Sequence, residues 1–243
     1  MITRGLYTML FLLFSLNVCA QTDSVYVVTV GKLNVRTGPG TSYEIVYQLK
    51  RGDEIVVTSV ENDNWYAIDL GFTSPVYVFS RMITRDPNWE KEYLFSGQTP
   101  LCYNIDPQYE ERIDNSLNII VGSHTDVVVK LMKQGTETDR CIRIAYIRSE
   151  ESFMMKNIPE GQYYLKIAYG LDWRQKVEDG ICYGRFMRRA HYEAGEEILD
   201  FRLTESGSGY YIPYYELQLD VLPTEFNRDN FRTNDISEEQ FNR

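Results

Sequence analysis

Short runs of alternating apolar and polar residues, each ended by Gly, Pro, Asn or Asp, recur along most of the 243-residue chain. Alternation with a period of two is typical of strands with one buried face, and turn residues at such short intervals leave little room for helices. No long segment has helical periodicity, and the length is enough for two small domains. The sequence therefore predicts an all-β protein.

Residues 33–43, LNVRTGPGTSY, contain a glycine-rich turn that could in principle hold a phosphate group. A phosphate loop needs a Lys followed by Ser or Thr at the start of a helix, with free backbone amides facing the ligand. Here the Lys is missing, Pro39 lacks an amide hydrogen, and the next residues alternate as strands do. A nucleotide-binding loop is excluded.

The alternating runs around this turn predict a small closed barrel. These runs are too short to form a stable open sheet; they are VYVVTV, LNVR, EIVYQLK, DEIVVTSVEN and WYAIDL. We expect Pro39 to preset φ in the turn and Gly38 and Gly40 to permit positive φ. The predicted barrel core consists of Leu33, Val35, Ile45, Leu49, Ile55 and Val57.

Five features follow one another in the stretch LNVRTGPGTSYEIVYQLKRGDEIVVTSVENDNWYAI: Leu-Asn-Val-Arg, a Gly-Pro-Gly turn, a Tyr after it, a Leu-x-x-Gly step and a later Trp. With these features the stretch resembles a bacterial SH3 (SH3b) domain. The resemblance covers Val25 to about Ile83 and predicts an SH3-like barrel over residues 21–83. It implies a binding module directed to cell-wall peptides or glycans, often attached to a hydrolase. Many members end in Gly-Trp-Val, where this chain has SPVYVFSRMI with Val76 and Tyr77.

Aromatic side chains with a polar end suit sugar faces and peptides, so the predicted contact surface of the barrel is rich in tyrosine. The predicted ligand-binding residues are Arg36, Tyr43, Trp65, Tyr66 and Tyr77. Two of them also have structural interpretations. Arg36 could steady the turn, and Trp65 could be half-buried packing.

Residues 84–116 have no sustained period and predict a linker, in which Trp89 and Tyr93 could share one face of a short helix. Residues 117–222 alternate again, with Val127, Val129 and Leu131 on one side of a strand. Alternation with one wet face predicts an antiparallel β-sandwich. Residues 223–243 predict a mobile polar tail that ends in a helical turn at SEEQF.

The segment FMMKNIPEGQYYLKIAYG, with a strand, an Ile-Pro-x-Gly turn and an aromatic-rich strand, resembles the prealbumin-like sandwich modules of exported bacterial proteins. The wider region is similar to a C-terminal segment of exported Bacteroidetes proteins. This resemblance implies a spacer, docking or accessory domain.

The first twenty residues have one arginine, an apolar run from Leu6 to Leu16, and Cys19 and Ala20 at the end. This layout predicts a secretory signal peptide cleaved after Ala20, with lipidation of Cys19 as the alternative. The protein is then periplasmic or secreted, without a transmembrane segment. An oxidising compartment allows a disulfide among Cys102, Cys141 and Cys182, in any of three pairings, with one thiol left over.

The net charge of −10 comes with scattered basic residues, which excludes nucleic acid as a partner because such binding needs clustered Lys and Arg. An enzyme hypothesis rests on Cys141 and His191 as the nucleophile and base of a cell-wall hydrolase. It is disfavoured because DRCIRIAYI alternates as a strand, whereas such a thiolate needs a helix N-terminus. No zinc motif occurs, and we predict no catalytic residues, metal or cofactor.

The predicted function is therefore that of an exported, non-enzymatic binding or scaffold protein whose barrel engages peptidoglycan or a peptide of the cell envelope. The alternative is an envelope assembly protein that binds other proteins and has no cell-wall ligand.

Overall fold

The computed structural model describes residues 23–207, 209–219 and 231–243. The predicted signal peptide lies outside these residues. The protein is almost entirely β, which confirms the predicted fold class. Among the described residues, no helix is both long and apolar enough to cross a bilayer.

The first domain is a barrel of seven antiparallel strands in the order β3-β2-β6-β5-β4-β1-β7. The strands are β1 (Ser24–Val28), β2 (Lys32–Arg36), β3 (Ile45–Lys50), β4 (Glu54–Asn62), β5 (Trp65–Ile68), β6 (Val76–Phe79) and β7 (Ile83–Arg85), with a 3₁₀ turn (Ser80–Met82) before β7. They curl around one apolar cluster that contains the predicted core residues Leu33, Val35, Leu49, Ile55 and Val57.

Ile45 was predicted in this core and is instead 44% exposed. The cause is a bulge: Tyr47 pairs with Val35, but the next pair along is Ile45 with Arg36. Because the bulge skips one residue, Ile45 shares the outward side of Arg36. Val46 packs against the core in its place.

The second domain is a sandwich of two sheets. Its strands are β9 (Ser116–Val121), β10 (Asp126–Lys133), β11 (Arg140–Ile147), β12 (Ser152–Lys156), β13 (Gln162–Glu178), β14 (Ile181–Gly195), β15 (Leu199–Asp200), β16 (Thr204–Ser206), β17 (Gly209–Tyr211), β18 (Tyr214–Leu219) and β19 (Thr233–Asp235), and helix α1 (Glu238–Asn242) follows. The larger sheet has the order β11-β10-β13-β14-β19, and the smaller has the order β12-β9-β18, with β18 parallel to β9. Strand β15 pairs with β13, and β16 pairs with β17 in a separate two-stranded sheet.

The two sheets enclose the largest apolar cluster of the protein, built from alternate residues such as Val127, Val129 and Leu131. The other face of the larger sheet was expected to be exposed to solvent, but other parts of the chain pack on it as well. Val128 and Lys130 are buried there beneath Leu94, Tyr103 and Phe241. The larger sheet is therefore the middle layer of three.

The segment predicted as a linker supplies part of this cover. No helix forms around Trp89 and Tyr93, because Glu90 and Lys91 form a short strand, β8, that pairs with β13. Trp89 is buried, whereas Tyr93 is 80% exposed. Leu94 and Tyr103 then cross the sheet.

The end of the chain differs from the predicted mobile tail. Strand β19 pairs with β14, and α1 begins at a capping box formed by Ser237 and Gln240. Phe241 is 1% exposed and lies in the cluster under α1. The predicted helical turn at SEEQF is confirmed.

Of the three possible cysteine pairings, the structure has Cys102 with Cys182, which ties the covering segment to β14. Cys141 is the free thiol.

Candidate functional site

The predicted contact residues lie around the adjacent strands β2, β6 and β5. Arg36 pairs with Tyr77, which pairs on its other side with Ala67. Paired residues of antiparallel strands share a face, so Arg36 and Tyr77 both point away from the core cluster. Tyr43 lies in the loop between β2 and β3 and is 48% exposed.

A side-chain hydrogen bond connects the β2–β3 loop to this surface. The Arg36 guanidinium Nη1 donates to the Tyr43 carbonyl oxygen over 2.7 Å, and the Thr37 amide donates to the Glu44 carbonyl over 3.0 Å. These bonds close the loop so that Tyr43 is held beside Arg36. The predicted role of Arg36 in steadying the turn is therefore seen, and its outward position is compatible with a ligand contact as well.

The glycines of the turn are required for a different reason than the sequence predicted. Neither Gly38 nor Gly40 has positive φ. Instead, the Tyr43 ring lies across both: a Cβ at Gly38 would be 2.3 Å from its Cδ1, and one at Gly40 would be 3.3 Å from the ring. The two glycines thus leave a flat backbone surface on which the Tyr43 ring packs.

We define the outer face as Arg36, Tyr43, Ile45 and Tyr77. Ile45 is the member that the sequence missed, because only the bulge places it outside. The outer face combines two phenol rings, one aliphatic side chain and one guanidinium. Aromatic rings can stack on sugars, and a guanidinium can hold a carboxylate with two parallel hydrogen bonds.

Trp65 and Tyr66 do not join the exposed part of this surface. Trp65 is 8% exposed and packs edge-on against Phe79, with ring centroids 5.6 Å apart. Tyr66 points to the other side of β5, packs on the barrel core and meets the Tyr26 ring edge-on at 5.8 Å. For both, the structure favours a packing role.

The barrel is held against the sandwich by a cluster centred on Glu54 of β4. Its carboxylate accepts from the Trp89 indole at 3.1 Å, pairs with Lys176 at 3.0 Å and with Arg185 at 2.6 Å. Both cations also lie over the Trp89 ring, at 5.0 and 5.3 Å from its centroid. We call Glu54, Trp89, Lys176 and Arg185 the Glu54 joint.

A second contact between the domains centres on Asp69, in the loop after β5. Arg188 donates two hydrogen bonds to its Oδ2, and Arg189 lies 3.6 Å from its Oδ1. Burial alone would raise the pKa of Asp69, but the Gly71 amide and the two arginines outweigh it, so its pKa is lowered. These residues line an open cleft of about 230 Å³.

Cys141 and His191 are not arranged as a nucleophile and base. Strands β10 and β13 lie between β11, which carries Cys141, and β14, which carries His191. At about 4.8 Å per strand, their backbones are roughly 14 Å apart. Cys141 packs on the cluster under α1, whereas His191 pairs with Tyr169, whose ring belongs to the cluster between the sheets. Burial raises the pKa of the Cys141 thiol, which disfavours a thiolate.

The sequence also missed a group of possible metal ligands. His191, Glu193 and Asp235 bring one nitrogen and two carboxylate oxygens to within 4.8 Å of one another. The signal in the sequence was weak: His-x-Glu on a strand, with the third residue more than forty positions later.

Comparison with known proteins gives one family and one relative. Residues 31–84 match the bacterial SH3 domain family. The Bacillus subtilis (strain 168) protein named "Putative N-acetylmuramoyl-L-alanine amidase YrvJ" is 31% identical over 103 residues, which are 42% of this chain and 19% of that protein. This chain thus spans about a fifth of that relative.

No solved structure matches the chain. The prealbumin-like resemblance of the second domain stays a prediction. The SH3 resemblance is confirmed: residues 31–84 form a bacterial SH3 domain.

Proposed function

We propose that the protein is an exported, non-enzymatic binding protein of the cell envelope whose SH3 barrel engages peptidoglycan, or a peptide of similar chemistry, through the outer face. The observation that carries the proposal is the position of Tyr43: its ring packs on Gly38 and Gly40, and its backbone carbonyl accepts a hydrogen bond from Arg36. A pre-positioned aromatic ring loses little conformational entropy on binding, so its contact area contributes efficiently to affinity.

The family supports this choice of ligand class, since the matched domain is bacterial SH3. The name of the B. subtilis relative is that of an amidase, and the matched part is about a fifth of that protein. We do not extend an amidase activity to this chain, because the match covers only 19% of that protein.

The second candidate is envelope assembly through protein partners alone. It is favoured by exposed aromatic residues on the hairpin of β16 and β17 and just after it: Tyr210 and Tyr211 are each 63% exposed, and Tyr214 is 51% exposed. Exposed tyrosines of this kind are common in protein interfaces. This surface is on the second domain and is separate from the outer face.

Co-sedimentation of residues 21–243 with purified peptidoglycan across a salt series tests the proposal. We expect wild-type retention to persist at high salt, because stacking is screened less than ion pairing. Tyr43→Ala and Tyr77→Ala should each reduce retention several-fold. Tyr210→Ala removes an exposed tyrosine of the second domain and is the control, which should bind as the wild type does.

Absence of retention for the wild type, or equal losses in all three variants, would contradict the proposal and favour assembly. Trp65→Ala is a poor test because Trp65 is buried and its removal would destabilise the barrel. Zymography on cell-wall substrate tests the hydrolase alternative. Clearing that disappears with Cys141→Ala would revive it.

A further inference from the structure

The edge of the larger sheet places two carboxylates opposite each other. Glu193 of β14 pairs directly with Asp235 of β19. His191 lies two residues before Glu193 and therefore on the same face of the strand. Its Nε2 is 3.0 Å from Glu193 Oε1 and 3.4 Å from Asp235 Oδ1.

This arrangement has an electrostatic cost unless a cation is present. Like charges directly opposite each other on neighbouring strands are destabilising. In the described part of the chain, neither Glu193 nor Asp235 has an ion pair with a lysine or arginine; each has only His191. Two carboxylates therefore converge here without a lysine or arginine beside them.

Glu193 is also oriented by a neighbour. The Tyr169 hydroxyl donates to its Oε2 over 3.1 Å, which leaves Oε1 directed at the His191 nitrogen. The Tyr169 ring lies beside the imidazole, 6.1 Å away and tilted by 32°. A hydrogen bond to the second oxygen of a carboxylate is how proteins commonly orient a metal ligand.

We propose that His191, Glu193 and Asp235 bind a Zn²⁺ ion between β14 and β19. One imidazole nitrogen with two carboxylate oxygens suits zinc, whereas Ca²⁺ and Mg²⁺ prefer oxygen ligands alone. Bonds of about 2.0 Å to a tetrahedral ion place its ligands roughly 3.3 Å apart. The separations of 3.0 and 3.4 Å agree with this geometry. Water would fill the fourth position.

The consequence of such an ion is structural and concerns the end of the chain. Strand β19 leads directly into α1, whose Phe241 packs on Lys130 of the larger sheet and edge-on against Tyr103 of the covering segment. A metal shared by β14 and β19 would fasten this segment to the sandwich. The site lies in the second domain, so it does not depend on the function proposed for the barrel.

The test is isothermal titration of untagged, chelator-treated residues 21–243 with ZnCl₂, and separately with CaCl₂. We expect one Zn²⁺ per chain and no heat of binding from Ca²⁺. His191→Ala and Asp235→Asn should each weaken zinc binding at least 10-fold. His124→Ala removes the other histidine of the chain, which bonds only to Ser123, and should leave binding unchanged.

Hydrogen exchange of residues 231–243 provides a second readout. Zinc should slow exchange there several-fold in the wild type and have no effect in Asp235→Asn. That side chain is 85% exposed, so its substitution leaves the fold intact. Absence of zinc binding by the wild type, tighter binding of Ca²⁺, or an equal loss in His124→Ala would each overturn the proposal.

Discussion

Gly38 and Tyr43 illustrate how a single close approach can decide which residue a position tolerates. Glycine in a turn is usually explained by positive φ, and that was the expectation here. The structure shows instead that the Tyr43 ring occupies the space where a side chain at Gly38 would begin. The pattern Gly-Pro-Gly-x-x-Tyr is thus explained by packing of the tyrosine on the turn.

Gly38→Ala should displace the Tyr43 ring, since a Cβ cannot lie 2.3 Å from an aromatic carbon. We expect a loss of about 1–3 kcal/mol in the free energy of unfolding, as for overpacked sites. Gly31→Ala is the control, because nothing lies within 4 Å of a Cβ there and its φ is not positive. Urea unfolding of both variants checks this, and equal stabilities would refute it.

Lys130 is a buried cation that makes cation–π contacts with two aromatic rings. Its ammonium lies 4.3 Å from the ring centroids of Tyr103 and Phe241 and donates to the Phe241 carbonyl over 2.9 Å. Burial lowers the pKa of Lys130 to about 8. Above this pH the folded protein has lost a proton that the unfolded chain still binds.

The free energy of unfolding should therefore gain a contribution from Lys130 as the pH rises from about 8 towards the pKa of an unfolded lysine, near 10.4. The gain should be on the order of 1–3 kcal/mol. Measuring wild type and Lys130→Met from pH 7 to 9.5 isolates it, since Met cannot titrate. The difference between the two proteins should move in favour of the wild type with pH. A constant or opposite difference would refute the assignment.

At the scale of elements, the strands could be predicted from the sequence, but the segments that pack on the other face of the larger sheet could not. Alternation in VVVKLMK and YYLKIAYG identified β10 and β13 because each strand carries its own pattern of burial. The cover over Val128 and Lys130 comes from an irregular segment and a five-residue helix. Neither has a period, so no local pattern could reveal that they pack on the sheet.

The candidate site shows the same limit. Arg36, Tyr43 and Tyr77 could be found from the motif, because the motif fixes their positions along β2, the turn and β6. Ile45 could not, since a one-residue bulge reverses its side. Trp65 could not be separated from the exposed aromatics, because its burial depends on Phe79, fourteen residues later.

The Cys102–Cys182 disulfide ties the covering segment to the long β13–β14 hairpin. It closes a loop with a sequence separation of 80 residues. In the chain-entropy model such a loop contributes roughly 4.5 kcal/mol, and native disulfides typically contribute about 2–5. We expect Cys102→Ser/Cys182→Ser to lose stability in that range and to exchange amide hydrogens faster over residues 92–105.

Cys141→Ala removes the free thiol, keeps the disulfide and is the control, with an expected change within about 1 kcal/mol. Thermal unfolding with and without reductant measures both effects. A double variant as stable as the wild type would show that packing alone holds the segment.

At the scale of the whole molecule, the two domains meet through the Glu54 joint and through Val25, Val56, Trp89 and Met187, which form a small apolar cluster beside it. Glu54 is 14% exposed in its side chain and balances two cations. Removing the central carboxylate of a largely buried group of charges leaves the two cations poorly compensated. The joint therefore should make the barrel and the sandwich unfold together.

Glu54→Gln should lower the free energy of unfolding by about 2 kcal/mol, because Lys176 and Arg185 lose their shared, largely buried anionic partner. They keep only the more exposed carboxylates of Glu178 and Glu238, at 3.4 and 3.5 Å. Glu61→Gln, at an exposed position on the same strand, should change it by less than about 0.5 kcal/mol. Calorimetry checks whether the single transition expected of the wild type separates into two in Glu54→Gln. A single unshifted transition would show that the joint does not couple the domains.

The measurement that tests the central claim most directly is an NMR titration of ¹⁵N-labelled residues 21–243 with soluble peptidoglycan fragments. The account predicts saturable shifts of the amides of residues 36–45 and of Tyr77, which surround the outer face. It also predicts that these shifts vanish in Tyr43→Ala. Shifts confined to the β16–β17 hairpin, or none at all, would contradict the account.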